Sequence, residues 1–350
     1  MPIENPRILF YDAKPYDRAS FEAANSLHNF PFKFLRSHLT EDTAVIATGC
    51  DVVCLFVNDH LTAKIADILL ENNVKLVALR CAGYNNVDLK AVYQRLHVVR
   101  VPAYSPYAVA EHAVALMLAL NRKTHKAYYR TRDNNFTITG LIGFDMRGKT
   151  AGIIGTGQIG KALMQILRGF GMTILAYDKF PDRAFAETCG AQYVELDELY
   201  AKSDIISLHC PLNKETHHLI NAASISRMKP EVMIINTGRG PLIDSKALVD
   251  ALRDKRVGAA GLDVYEEESE YFFEDFSTEI MNDDVLARLI SFPNVLITSH
   301  QAYFTQEALS QIAKTTLQNI QDFFDGKPLV NEICYQCGDG CRKKTEGRCF

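Results

Sequence analysis

The 350-residue chain has no uninterrupted apolar run of the roughly 18 residues that a membrane-spanning helix requires. Its first residues, MPIENPRILFYD, lack the basic stretch followed by an apolar core that marks a secretory leader. The expectation is a cytoplasmic protein that does not engage a membrane. Charge of one sign is missing too. With 38 Lys and Arg against 42 Asp and Glu, the formal net charge of −4 offers no general attraction for nucleic acid or an anionic lipid surface, so the expected partner is a small molecule. Nor is there a disordered or fibrous composition, because 47% hydrophobic and 23% charged residues are ordinary for a soluble globular chain. His209, His217 and His218 do not form a metal-ligand pattern, and no metal is assigned.

What is present is a repeated alternation of short apolar runs with amphipathic stretches, the pattern of parallel strands joined by crossover helices. RILFYD, VVCLFV, KLVALRC and HVVRVP form one series. TAGIIGTG, TILAYD, QYVEL, DIISLHC, VMIINTG, GAAGLDV and NVLITSH form a second. The fold class is therefore α/β, with two doubly wound parallel-sheet domains. Between the series, the apolar face over Ala108–Leu120 predicts a helix that either fills a core or packs against a second subunit. A homodimer or homotetramer is expected. A last helix over Gln306–Phe324 leaves too little chain for a domain of its own, so it returns to the first. The expected boundaries are 1–101 with 301–333 for a discontinuous substrate domain, 102–300 for a nucleotide-binding domain, and 334–350 for a tail.

Within the second series, Gly155, Gly157 and Gly160 of GTGQIG fit G-x-G-x-x-G between an apolar strand and a helix, and Asp178 closes the next strand. In that context the first glycine makes a tight turn, the second admits a pyrophosphate to the backbone, and the third lets helix and strand pack closely. Asp178 would accept hydrogen bonds from the adenosine ribose and repel a 2′-phosphate, which favours NAD over NADP. Lys179 beside it weakens that preference slightly.

Three later strands end in polar groups. Arg239 stands between Gly238 and Gly240 after VMIIN, the run Glu266-Glu267-Glu268 follows GAAGLDV, and His300 follows VLIT. A histidine at a strand end is either a hydrogen-bonded structural residue or a proton donor displayed in a crevice. An arginine flanked by glycines offers a planar fork to a carboxylate.

Taken in order, GTGQIG, HCPLNKETHHLI, INTGRGPLID, GLDVYEEE and SHQAY resemble the D-isomer-specific 2-hydroxyacid dehydrogenase family over about residues 1–333. RCAGYNNVDL, VPAYSPYAVAEHAVALMLALNRK and the long segment after the glutamates are most similar to its fermentative D-lactate dehydrogenase branch. The resemblance implies a flavodoxin-like substrate domain, a Rossmann NAD-binding domain and reduction of pyruvate by NADH, with Arg239, Glu268 and His300 as the catalytic set. Glu266 and Glu267 compete with Glu268, which is preferred because the family acid lies five residues beyond the aspartate matched by Asp263. It further implies Cys81, Ala82, Gly83, Tyr104 and Tyr303, with Arg239 and His300, around the substrate. Gly155, Thr156, Gly157, Gln158, Ile159, Gly160, Asp178, Cys210, Pro211, Asn213, Thr237, Gly238, Arg239 and Asp263 would line the cofactor. A bulkier 2-oxo acid substrate is one alternative; an NAD(H)-sensing binding protein like the family's co-repressor branch is another, disfavoured by the lack of long extensions.

Five of the nine cysteines, Cys50, Cys54, Cys81, Cys189 and Cys210, are scattered through strands and helices and read as small buried hydrophobes. The resemblance ends before CYQCGDGCRKKTEGRCF, whose Cys334, Cys337, Cys341 and Cys349 are spaced C-x2-C-x3-C-x7-C. Four thiolates can enclose zinc, but only one pair has the usual two-residue spacing, and the glycines and basic residues predict a mobile basic tail with oxidisable thiols.

Overall fold

The computed structural model describes residues 5–268, 271–336 and 341–350; Cys337, Gly338 and Gly340 of the tail lie outside the described residues. The chain divides into two compact units, Met1–Ser105 with Thr305–Phe350, and Pro106–Phe304.

The first unit holds β1 (Ile8–Phe10), β2 (Phe32–Phe34), β3 (Val52–Leu55), β4 (Leu76–Leu79) and β5 (His97–Val99) in the order 2-1-3-4-5, all parallel. This is the flavodoxin-like winding. Alternate residues of its strands face opposite sides. Ile8, Val52, Leu76 and Val99 pack with Ala313, Leu317 and Ile320 of the helix Gln306–Phe324, so that helix does return to the first sheet. Leu9, Val53, Val77 and Val98, on the opposite face, are also buried, which is why these strands read as continuous apolar runs.

The second unit comprises β6 (Thr150–Ile154), β7 (Thr173–Tyr177), β8 (Ala191–Tyr193), β9 (Ile205–Leu208), β10 (Val232–Asn236), β11 (Val257–Leu262) and β12 (Val295–Ile297). Its parallel order, β8-β7-β6-β9-β10-β11-β12, is the Rossmann order with one further strand. The helix Pro106–Arg122 is a core helix of this unit. Its Ala113, Leu116, Met117 and Leu120 pack with Ile153, Ile235 and Met233 on one face of the sheet. Leu199, Leu248, Leu252, Leu286 and Leu289, from three shorter helices, cover the other face. Among the described residues no helix is long and apolar enough to cross a membrane.

Two strands escape the hydrophobic pattern. β2 is a half-buried edge of three residues, and β13 (Glu332–Ile333) pairs antiparallel with β5 through two residues only, one of them a glutamate. The tail also differs from the mobile segment expected. Its described residues pack on the first unit: Leu329 N donates to Gly347 O at 2.7 Å, the Arg348 guanidinium donates to Phe323 O at 2.9 Å, and Phe350 stacks on His97 at 4.4 Å. These contacts use backbone, guanidinium and ring groups rather than an apolar period, so composition did not reveal them.

Ile235 is fully buried beneath the helix Pro106–Arg122. Ile235→Ala should lower stability by roughly 2–5 kcal/mol through lost contacts and an unfilled cavity. A urea denaturation midpoint within error of the parent's would show that this helix does not bear on the sheet as described.

Candidate active site

The crevice of an open α/β sheet lies where the strand order reverses, here between the carboxyl ends of β6 and β9. The chain crosses that point at Gly155, whose φ of +94° favours glycine and whose missing side chain leaves room for backbone: a Cβ would meet Cys210 N at 2.4 Å. A Cβ on Gly160 would stand 2.1 Å from Gly155 O, so the helix Gln158–Gly169 closes directly onto the turn. At Gly157, the N-cap of that helix, a Cβ would meet nothing within 4 Å. Two glycines are thus required by the protein's own packing, while the third keeps an open face at a helix N-terminus where an anion is favoured. Gln158 and Ile159 open the helix beside it, and the cradle fits a dinucleotide pyrophosphate.

Asp178, after β7, is fixed by this loop. Its Oδ2 accepts from Thr156 N at 2.6 Å and Thr156 Oγ1 at 3.0 Å, and its Oδ1 accepts from Phe180 N at 2.9 Å. Lys179 is ion-paired with Glu215 at 2.9 Å. Across the crevice Cys210 is a neutral thiol: burial, with the Asp178 charge adding, pushes it up to about 11. Desolvation pushes the neighbouring His209 down to about 4, so it stays neutral and shares a 2.8 Å hydrogen bond with Ser207. Pro211 and Asn213 are exposed, and Asn213 Oδ1 accepts from Glu215 N and Thr216 N to shape the turn after β9.

The ends of β10, β11 and β12, adjacent in the sheet, carry the three ionisable positions. After β10, Asn236 braces the loop: its Nδ2 donates to Arg239 O at 2.9 Å, and its Oδ1 accepts from Gly238 N at 3.0 Å. Arg239 is partly exposed and donates one N–H to Gly238 O at 2.7 Å. Thr237 Oγ1 is buried with no partner among the described residues, and a bound molecule could supply one. A Cβ on Gly240 would fall 2.0 Å from Tyr265 O, so only glycine lets the loop after β10 lie against the loop after β11.

That second loop separates the glutamates. Glu266 bonds His218 Nε2 at 2.6 Å and accepts from Ser245 N at 2.8 Å, while Glu267 is exposed. Glu268 Oε1 lies 2.9 Å from His300 Nδ1, and its Oε2 accepts from Tyr265 N at 3.1 Å. Of the three glutamates, Glu268 is therefore the one paired with His300. His300 has a φ of +51°, an uncommon conformation for a histidine, and its N–H donates to Asp263 O at 2.7 Å.

Asp263 follows β11 with its side chain buried. It is 0% exposed, its Oδ1 accepts from Thr298 Oγ1 and Gln301 N, and its Oδ2 accepts from Ala302 N. The carboxylate thus braces the loop that carries His300. Sequence reasoning missed two neighbours. His112 shares a 3.1 Å hydrogen bond with Thr298 Oγ1, and Phe273 sets its ring 6.0 Å from that of His300. His112 sits inside an apolar helical pattern that masks it; the aromatic run around Phe273 was the only available signal. Tyr303 is buried just after the histidine loop.

In the first unit, Cys81, Ala82 and Gly83 follow β4. Arg100 donates to Ala82 O at 2.6 Å, Val101 N to Cys81 O at 3.1 Å, and the Cys81 thiol to Gly83 O at 3.2 Å. The fully buried Arg80, not singled out from sequence, donates to Asp12 O at 2.7 Å and braces the start of this turn. Tyr104 is partly buried further along the same unit.

Residues 114–302 match the family model described as "D-isomer specific 2-hydroxyacid dehydrogenase, NAD binding domain". The chain is 50% identical to a D-lactate dehydrogenase of Escherichia coli over 93% of its length and 99% of the relative's. Its fold superposes with a TM-score of 0.90 on the solved structure of a Chlamydomonas reinhardtii pyruvate reductase, 46% identical, over 94% of this chain and 99% of that one. A D-lactate dehydrogenase of Lactobacillus jensenii, solved with NAD+, gives a TM-score of 0.80 at 30% identity over 93% and 99% of the two chains.

The glycine geometry separates binding from folding. Gly157→Ala should leave the unfolding midpoint near the parent's yet weaken NADH binding, whereas Gly160→Ala should destabilise the fold itself. Fluorescence titration with NADH and thermal melts of both variants test this, and full NADH affinity in Gly157→Ala would remove the cradle from the assignment.

Proposed function

The chain belongs to the D-isomer specific 2-hydroxyacid dehydrogenase family, and from that premise we propose that it is an NAD-dependent D-lactate dehydrogenase, reducing pyruvate to D-lactate reversibly. One observation carries the proton chemistry: His300 Nδ1 is paired with Glu268 at 2.9 Å, which turns Nε2 into the free end of the ring.

When bound, NADH supplies the hydride to the carbonyl carbon. Negative charge then grows on the carbonyl oxygen, and His300 delivers a proton to that oxygen from Nε2. Glu268 holds the Nδ1 proton and sets the ring's orientation. Arg239 presents its guanidinium to the substrate carboxylate and polarises the ketone, which orients the carbonyl for attack. Asp178 accepts from the ribose hydroxyls and repels a 2′-phosphate.

Comparing rates with pyruvate, 2-oxoisocaproate and phenylpyruvate tests the substrate. Pyruvate should lead, and a preference for either bulkier acid would replace the lactate reading with that of another 2-hydroxyacid dehydrogenase. Arg239→Lys should lose roughly 2–5 kcal/mol of transition-state stabilisation toward pyruvate, because an ammonium keeps the charge without the two-point fork. Near-parent catalytic efficiency would sink that role.

The two directions should respond oppositely to pH. Pyruvate reduction takes up a proton and lactate oxidation releases one, so rising pH should slow the first and speed the second. His209, held neutral down to about 4, does not titrate in this range. Parallel pH profiles in both directions would take His300 out of the proton step, and His300→Gln should cost roughly 10²–10⁴-fold in either direction.

A further inference from the structure

Three sulfurs converge where the tail folds back on the first unit. Cys334 follows β13, Cys341 precedes the short helix Lys343–Glu346, and Cys349 comes after it. The Cys334 and Cys341 sulfurs are 3.8 Å apart, those of Cys341 and Cys349 are 3.5 Å apart, and all three lie within 4.8 Å of one another. A disulfide holds its sulfurs at about 2.05 Å, so this spacing is not that of a formed bridge. A tetrahedral ion with metal–sulfur bonds of about 2.3 Å holds its sulfurs about 3.8 Å apart.

Cys334 and Cys349 are only 4% and 1% exposed, in a segment whose other residues, Tyr335, Phe350 and the remaining cysteines aside, are polar or glycine. Thiolates concentrate negative charge, and Arg342, Lys343 and Arg348 flank the second and third cysteines in sequence. Lys343 Nζ turns inward to donate to Glu332 O at 2.8 Å. The last cysteine is anchored from behind. Its N–H donates to the buried Glu332 carboxylate, whose other oxygen bonds His97 Nδ1, and Phe350 stacks on that histidine's ring. Such bonding behind the donor atoms is what fixes metal ligands in place.

We propose that Cys334, Cys341 and Cys349 are ligands of a structural zinc ion that closes the tail onto the edge strand of the first unit. Soft thiolate donors select zinc over magnesium or calcium. Binding exchanges three thiol protons for one Zn²⁺ and involves no change of oxidation state. Cys337 lies outside the described residues, and the proposal rests on the other three. The ion would supply what the tail's composition lacks, a core around which a polar segment can order.

The test uses the untagged full-length protein, purified under reducing conditions from zinc-supplemented cells. Elemental analysis should find one zinc per chain, released to a chromogenic chelator as a mercurial titrates the thiols. Reconstitution with Co²⁺ should give a thiolate-to-metal charge-transfer band. The triple variant Cys334→Ser/Cys341→Ser/Cys349→Ser should carry no zinc, show no such band, become sensitive to trypsin after Arg342 and Lys343, and keep the parent's turnover of pyruvate. If the triple variant does not fold, Cys341→Ser alone, a partly exposed position, should still weaken the cobalt band. Absence of both zinc and the cobalt band in the reduced parent, zinc retained by the triple variant, or a Cys341–Cys349 disulfide in an anaerobic peptide map would each overturn the proposal. Because pyruvate turnover is read separately, failure of the zinc site and failure of the dehydrogenase reading are distinguishable.

Discussion

A buried carboxylate, Asp263, holds the geometry on which the chemistry of the second unit depends. His300 sits in a left-handed conformation that costs a non-glycine residue about 1–2 kcal/mol. The Asp263 side chain takes Thr298 Oγ1, Gln301 N and Ala302 N, and its carbonyl takes the His300 amide. Hydrogen bonds to a charged group contribute about 1.5–3 kcal/mol each, so the set outweighs the backbone cost. The histidine is thereby held out of the strand direction and turned toward Glu268. An ordinary extended residue at position 300 would have carried the ring along β12 instead.

The same economy of placement sorts three consecutive glutamates into different tasks. Gly240 allows the loop after β10 to touch the loop after β11, and that contact brings Glu266 to His218 and the Ser245 amide. With Glu266 committed there and Glu267 in solvent, Glu268 faces the strand beyond and meets His300. The carboxylate that meets His300 is thus chosen by a close backbone approach one strand away. Arg239, on the same glycine-flanked loop, is set at the next strand end by the bracing of Asn236.

The tail follows a different logic. A polar segment rich in glycine and basic residues has little apolar surface to bury and should stay unstructured unless something other than hydrophobic burial orders it. Here a buried glutamate bonded to histidine, a two-residue strand pair and a knot of sulfurs supply the ordering contacts. Each of these joins residues distant in sequence from the tail's own pattern, apart from the sulfurs.

Much of this molecule was legible in its sequence, for a physical reason. Strands buried on both faces must be apolar throughout, so most of both sheets and the helix Gln306–Phe324 announced themselves. A dinucleotide turn needs glycines at set offsets, and strand ends are where an open α/β sheet gathers its ligands, so Gly155, Gly157, Gly160, Arg239 and His300 stood out as well. What sequence left open was every question of which neighbour a polar group would meet. The choice among Glu266, Glu267 and Glu268, the bonding of Asp263 to the His300 loop, the support from His112 and Arg80, the edge strand β13 and the gathering of the tail cysteines are contacts between residues far apart in the chain. Periodicity reports whether a position is buried, because solvent exposure is a one-body property; hydrogen-bond partnership is a two-body property, and only the tertiary structure decides it.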